Sequence, residues 1–471
     1  MRICVILEGC YPYVTGGVSS WMHQYIQAMP QHEFVVWAIN ADPSQNGQFR
    51  YTLPENVVEV REVSLTGTSS PAGKHAGPMK FDEGELAALR ELVECGHPDW
   101  EALFGIFQER GVSPEKFLSS EYFVDILSGI CREKFPYTAF SDYFHTVRSM
   151  LLPLLQVLCT DVPEADVYHT IATGYAGVLA RLGSWKCQAP FLLTEHGIYT
   201  REREEEIIRA GWVLPDFKDL WIRFFYMLSS AAYSGATMVT SLFARAGRTQ
   251  VEIGADPSRC RVVANGIHYD RFSGIPMRES DGALQIGAIL RIAPIKDVKT
   301  MLYAFAEVEQ HIPDVKLFIA GPEDDPDYAR ECRALQRQLG IRGAVFMGTI
   351  NVLEYMGDFD FTVLSSISEG QPLSVLESFA AGRPCVTTDV GCCKELIYGE
   401  GDDRLGQAGY CVPPMQPHEL ARAMEDLCRN RARRMQMGRV ARQRAGRYYR
   451  HEDMIRNYLD TYEEVFRRYR A

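Results

Sequence analysis

Apolar residues fall along this chain in short unbroken runs, separated by stretches with helical spacing. The runs Arg2–Leu7, Phe34–Ile39, Asp166–His169, Phe191–Thr194, Thr237–Thr240 and Arg261–Ala264 read as one set of strands. Leu284–Leu290, Val315–Ala320, Ala344–Met347, Phe361–Leu364, Cys385–Thr388 and Gly409–Val412 read as a second set. Few of them alternate strictly, and continuous apolar runs suit parallel strands covered on both faces. Between them, Val18, Met22, Tyr25, Ile26 and Met29 form an apolar stripe at helical spacing, as do Val298, Leu302, Phe305 and Val308. Two sets of strand–helix units predict an α/β protein of two facing Rossmann-like, doubly wound domains with a cleft between them.

The polar stretch Ser273–Asp281, with Gly274 and Pro276 as breakers, predicts a boundary that divides the chain into 1–275 and 276–452. A C-terminal helix over 453–471 is expected to pack back on the first domain. The segment 64–160 breaks the alternation: it is rich in Gly, Ser, Thr and Pro up to Pro78 and helical thereafter. It reads as a loop followed by an inserted helical subdomain.

The length of 471 residues suits two domains of roughly 200 residues each. Lys plus Arg is 49 and Asp plus Glu is 61, a formal charge of −12, which disfavours nucleic acid as a general partner. The 13 Cys are scattered, several within apolar runs, and show no Cys-x-x-Cys zinc spacing. They read as buried hydrophobes of a reducing compartment. No apolar window is long enough to span a bilayer, so a cytoplasmic protein without a membrane span is expected. From Arg429 to Arg450 there are nine Arg and no acid. This run reads as a solvated helix surface, the sharper alternative being a dock for anionic lipid or an acidic partner.

Four segments carry candidate chemistry. The first is Ser365–Glu377, which follows a strand and opens a helix. Gly370 permits close backbone approach, Pro372 suits a first helical turn, and free N–H groups at Leu373 and Ser374 can hold phosphate oxygens. Glu369 and Glu377 flank this helix start with Gln371 between them; a capping box of Ser374 and Glu377 is the bland explanation. The second is Ile289–Lys296, where Arg291 and Lys296 supply two fixed cations able to neutralise a diphosphate without metal. The third is Gly16-Gly17-Val18, between the first strand and the first helix; it lacks the Gly-x-Gly-x-x-Gly fingerprint of a dinucleotide site. The fourth is Thr194-Glu195-His196-Gly197, which sets His196 at a strand's carboxyl end, where open α/β sheets bind ligands. Asp358-Phe359-Asp360 lies at the amino end of a strand and reads as solvation there, and Glu323–Asp327 as a solvated loop. No metal-ligand set emerges.

With these residues in view, the chain resembles the retaining glycosyltransferases of family 4, which have the GT-B architecture. Glu369 and Glu377 match that family's Glu-x₇-Glu signature. Arg291 and Lys296 match its diphosphate-binding cations, and Gly16-Gly17 its amino-terminal loop. Asn265-Gly266-Ile267 with Asp270 and Phe272 is similar to its segment before the interdomain linker. Three stretches, Glu8–Trp21, Thr194–Glu204 and Ser365–Glu377, bring the chain nearest to the cytoplasmic glycosyltransferases of Pel exopolysaccharide systems, as does the long insertion. It departs from many relatives at Leu290, where they have Gly, and at Gly391-Cys392-Cys393-Lys394-Glu395, where a Gly-Gly is expected.

The resemblance implies a retaining, metal-independent transfer of a hexose or N-acetylhexosamine from a UDP-sugar, UDP-glucose among them, to a growing exopolysaccharide. It implies that Glu377 holds the ribose hydroxyls, Glu369 the sugar hydroxyls, and that His196 reaches the sugar from an acceptor-side domain. No cofactor beyond the UDP-sugar donor is implied. The implied partners are the glycan acceptor and inner-membrane synthase components, reached peripherally. The rivals are a non-catalytic UDP-sugar-binding subunit, an NAD-dependent oxidoreductase and a purely structural assembly protein.

Overall fold

The computed structural model describes residues 1–14, 16–40, 44, 46–65, 79–278 and 283–470. Contacts divide the chain into two compact units, Met1–Val262 with the residues from Tyr458 onward, and Val263–Asn457. The polar stretch expected at the boundary lies partly outside the described residues, at 279–282.

The first unit is built on seven parallel strands: β1 (Arg2–Glu8), β2 (Glu33–Asn40), β3 (Val57–Ser64), β4 (Val167–Thr170), β5 (Phe191–Glu195), β6 (Met238–Ser241) and β7 (Cys260–Val262). Their order in the sheet is β3-β2-β1-β4-β5-β6-β7. β1 is buried on both faces from Ile3 to Leu7, which is why its sequence is a continuous apolar run. β3 has no such run. Its sequence, VVEVREVS, carries charges on an edge strand, and Glu59 there pairs with Arg2 and Arg61.

The inserted subdomain is helical, with its longer helices at Glu83–Glu94, Glu121–Lys134 and Phe140–Leu158. Asp82 starts the first of them with a full capping box to Glu85. Trp100, Phe104, Phe117, Phe123 and Tyr143 are buried in the same apolar core as Trp37 and Tyr168 of the sheet. Truncating a buried ring such as Phe123 to Ala typically costs about 3–5 kcal/mol. The loop expected before this subdomain lies largely outside the described residues, at 66–78.

The second unit has six parallel strands: β8 (Gln285–Ile289), β9 (Lys316–Ala320), β10 (Ala344–Gly348), β11 (Phe361–Leu364), β12 (Cys385–Thr388) and β13 (Gly409–Val412), ordered β10-β9-β8-β11-β12-β13. Strand order reverses between β8 and β11, where Phe361 lies opposite Ile286. In the first unit it reverses between β1 and β4. Both are switch points of doubly wound sheets, and both open at the carboxyl ends of the strands.

The final helix, His451–Arg470, begins in the second unit, and its residues from Tyr458 belong to the first. Within the first unit the Tyr25 hydroxyl donates to Tyr462 Oη at 2.7 Å. His169 Nδ1 lies 2.7 Å from Tyr462 Oη, and its Nε2 lies 2.9 Å from Thr194 Oγ1. Burial pushes the His169 pKa down to about 3, so the ring is neutral in this network.

Two arginines of the Arg-rich run, Arg434 and Arg444, correct the sequence reading by facing inward, while Arg429, Arg431, Arg433, Arg439 and Arg447 are exposed as expected. Arg444 is fully buried, paired with Asp403, and donates to the carbonyls of Leu396, Ile397 and Gly406. Arg434 is buried against Asp360 and donates to the Leu427 carbonyl at 2.6 Å. Asp360, read as a solvated strand start, is buried and also pairs with Arg278 at 3.0 Å. Each guanidinium meets a carboxylate distant in sequence, so a local charge count could not reveal the pairing. All thirteen Cys are free thiols.

Candidate active site of the second unit

Two of the four chemical segments follow neighbouring strands at one switch point: Arg291 and Lys296 come after β8, and Glu369 comes after β11. Lys296 Nζ donates to Glu369 Oε1 at 2.5 Å, and the Ser366 hydroxyl donates to the same oxygen at 2.5 Å. The pair is well sheltered, with side-chain exposures of 15% and 10%.

Backbone ties fix the two loops to each other. The Ile367 N–H donates to the Ile295 carbonyl at 2.9 Å, and the Ser365 hydroxyl donates to the Lys296 carbonyl at 2.9 Å. On the other side, the Cys392 N–H donates to the Gly370 carbonyl at 3.1 Å. Gly391 has φ +53°, and a Cβ there would stand 2.3 Å from the carbonyl oxygens of both Glu369 and Gly370. A glycine is therefore required for this loop to lie against the acidic turn. The sequence departs from the expected Gly-Gly only at Cys392, which is buried, with its thiol pKa raised well above the ordinary value by that burial.

The helix Leu373–Ala380 starts immediately beyond, with Pro372 as N-cap and no side-chain cap. The capping box of Ser374 and Glu377 is not formed, and the first N–H groups of this helix are offered to the same end of the sheet. Gln371 is otherwise engaged: its Oε1 accepts the Asn265 N–H at 2.7 Å. Burial pushes the Glu377 carboxyl up to about 7, with Arg271 opposing that rise.

Arg291 has a partner of its own. Its Nη1 donates to Asp324 Oδ2 at 2.6 Å. Leu290, at the position where many relatives have Gly, is buried and donates its N–H to the Ala320 carbonyl at 2.9 Å. The close approach is made instead by Gly321, φ +151°, where a Cβ would fall 1.8 Å from the Leu290 carbonyl oxygen. Sequence reasoning passed over Asp324, Ser366 and Arg271. Asp324 lay inside an acidic run that reads as solvation, while Ser366 and Arg271 lay inside segments that were singled out but were given no role of their own.

In the first unit, Gly17 opens the helix Gly17–Gln27 with no side-chain cap at Gly16. His196 follows β5 and meets Trp21 edge-on at a ring separation of 4.5 Å. Its Nε2 is buried without a hydrogen-bond partner, and burial lowers its pKa to about 4. Beside it, the buried Glu195 carboxylate accepts the Tyr233 hydroxyl at 2.6 Å and the Gln250 amide at 2.9 Å, which ties the end of β5 to two helices. Burial raises the Glu195 pKa. Among the described residues no group of His, Cys, Asp and Glu forms a metal-binding set.

Residues 1–258 match the family model described as a domain of unknown function, DUF3492. The chain belongs to that family. Residues 283–430 match the model described as Glycosyl transferases group 1. The second unit of this DUF3492 protein is therefore a glycosyltransferase domain, and the protein is an enzyme of that class. The MMP alpha-(1->4)-mannosyltransferase of Mycolicibacterium hassiacum is 23% identical over 407 residues, covering 81% of this chain and 94% of that protein. The N-acetyl-alpha-D-glucosaminyl L-malate synthase of Bacillus anthracis is 30% identical over 177 residues, and the match spans 37% of this chain and 43% of that one.

Among solved structures, Anabaena HepE in complex with UDP superposes with a TM-score of 0.63 at 13% identity, covering 98% of this chain and 100% of that chain. Sucrose-phosphate synthase from Thermosynechococcus elongatus gives a TM-score of 0.61 at 16% identity, covering 99% of both chains. These likenesses show the fold. The expected architecture of two Rossmann-like α/β domains of the GT-B type holds.

Proposed function

We propose that this DUF3492 glycosyltransferase moves a hexose or N-acetylhexosamine from a UDP-sugar to a growing exopolysaccharide of the Pel type, with retention and without metal. The observation that carries the reading is the sheltered Lys296–Glu369 pair beside the uncapped start of the Leu373–Ala380 helix. Departure of the nucleoside diphosphate puts negative charge on phosphate oxygen. An ammonium group, a guanidinium and free helix N–H groups are what such charge needs.

In this reading Lys296 and Arg291 receive the diphosphate, assisted by the N–H groups of Leu373 and Ser374. Glu369 meets the sugar hydroxyls through Oε2, on which no hydrogen bond falls among the described residues. Glu377 accepts from the ribose. Retention follows from attack on the face that the diphosphate leaves, with a phosphate oxygen taking the acceptor's proton. Gly16, Gly17 and His196 carry the acceptor-side part of the proposal within the first unit.

UDP as the nucleotide is supported by the UDP bound in Anabaena HepE, and exopolysaccharide as the product by the sequence resemblance. A cytoplasmic location, with peripheral contact to inner-membrane synthase components, belongs to the same proposal. Among the described residues no helix is long and apolar enough to cross a membrane.

The test is turnover of UDP-glucose and UDP-N-acetylhexosamines, read as released UDP and as product configuration by NMR. Turnover that vanishes in Glu369→Ala and Lys296→Ala supports the proposal. UDP-sugar binding without turnover in any reconstituted complex would instead favour a non-catalytic donor-binding subunit.

A further inference from the structure

Both cations assigned to the donor diphosphate already have a carboxylate partner, but the two partners differ in kind. Glu369 is the acid that the proposed mechanism itself uses. Asp324 is not: it lies in the loop after β9, three residues beyond Gly321, and no step of the transfer needs it. Yet its Oδ2 sits 2.6 Å from Arg291 Nη1. We infer that Asp324 is a built-in competitor of the donor: it occupies the Arg291 guanidinium in the resting enzyme and weakens the hold on the nucleotide diphosphate. This rests on the proposed function, since it gives Arg291 the diphosphate as its ligand.

The loop's construction supports a specific role for Asp324 over a merely acidic surface. Its two neighbouring acids have separate tasks. Glu323 grips Arg333 through both carboxylate oxygens. Asp325 caps the helix Pro326–Gln338 by accepting the N–H groups of Asp327 and Tyr328 at 3.0 Å each. Asp324 alone of the three turns to the β8 loop. The backbone holds it there, because the Ile292 N–H donates to the Pro322 carbonyl at 2.8 Å and Gly321 closes on Leu290.

The Arg291–Asp324 pair is also open to displacement. Side-chain exposures are 51% for Arg291 and 36% for Asp324, against 15% and 10% for Lys296 and Glu369. An ion pair this wet is weak, so a doubly charged diphosphate can take the guanidinium from it. Asp324 must then withdraw, or stay as a like charge beside the phosphate. Either way donor binding is looser than Arg291 and Lys296 alone would make it, which favours release of the nucleoside diphosphate after transfer.

The experiment compares the full-length protein with Asp324→Asn by calorimetric titration of UDP and of uridine. Glu323→Gln serves as a control that removes the same charge from the same loop. Asp324→Asn should bind UDP about two- to fivefold more tightly at low salt, the range expected for losing one exposed ion pair, with the gain shrinking in high salt. Uridine affinity should be equal in all three proteins, and Arg291→Ala should abolish the gain in a double variant. If the wild type binds UDP while Asp324→Asn binds it equally or more weakly, the inference fails and the proposed function stands. If Glu323→Gln matches the gain, the effect is general charge and the inference also fails. If the wild type binds no nucleoside diphosphate, the proposed function fails and this inference falls with it.

Discussion

Lys296 Nζ and Glu369 Oε1 lie 2.5 Å apart, although 73 positions of sequence separate the two residues. The contact exists because β8 and β11 are neighbours at the point where the strand order reverses. It also means that the ammonium group and the carboxylate hold each other in place before any ligand arrives, so neither needs to be ordered by the donor.

Removing the cation tests that arrangement most directly. Lys296→Ala should lower kcat/KM by about 10²-fold or more, the usual cost of losing a group that stabilises transition-state charge. Initial-rate kinetics on the UDP-sugar that the wild type uses would read it. Lys296→Arg should recover only part of the loss, because a guanidinium cannot reproduce the single short bond to Glu369.

Gly391→Ala should damage the same site without touching a chemical group. The new Cβ would collide with the carbonyls of Glu369 and Gly370. The expected outcome is a fall in activity larger than the accompanying fall in thermal midpoint, measured on the same preparation by kinetics and scanning calorimetry.

Glu377 should make stability depend on pH. Its carboxyl is held up to about 7 by burial, against an ordinary value of 4.5. The folded state binds this proton more tightly than the unfolded chain does, so stability falls as pH rises from about 4.5 to about 7 and is level above that. Glu377→Gln should therefore raise the urea midpoint at pH 8 while leaving it nearly unchanged at pH 4.5.

His169 should act in the opposite direction. Its pKa is pushed down to about 3, below the unfolded value, so the stability tied to its neutral form is complete above about 6.5 and is lost as pH falls through that window. Tyr462→Phe removes the hydroxyl shared by Tyr25 and His169, and should cost about 1–3 kcal/mol by leaving buried polar groups unsatisfied. Urea denaturation at pH 7 would measure the cost.

Much of this was legible in the sequence because it rests on local rules. Unbroken apolar runs located twelve of the strands, since parallel strands covered on both faces have no polar side. Val57–Ser64 escaped because an edge strand keeps charged residues, and VVEVREVS lacks the run that marked the others. Glu369 and Lys296 were found because each lies directly after a strand, where a parallel sheet presents ligand-binding groups. The Asp324–Arg291, Asp403–Arg444 and Asp360–Arg434 pairs were missed for one reason. Each joins charges brought together by the topology, and a carboxylate read alone in sequence looks like solvation. The helix after Glu369 shows the converse: the Ser374–Glu377 spacing fits a cap that the chain does not make, because Pro372 takes that position.

The hydroxyl that satisfies both His169 and Tyr25 comes from Tyr462, and the first unit takes up the chain again only at Tyr458. During synthesis, the amino-terminal lobe therefore leaves the ribosome with those buried groups still lacking their partner. The whole second unit must be translated before that interior is complete. A fragment ending where the match to DUF3492 ends, at residue 258, would lack the Tyr462 hydroxyl altogether.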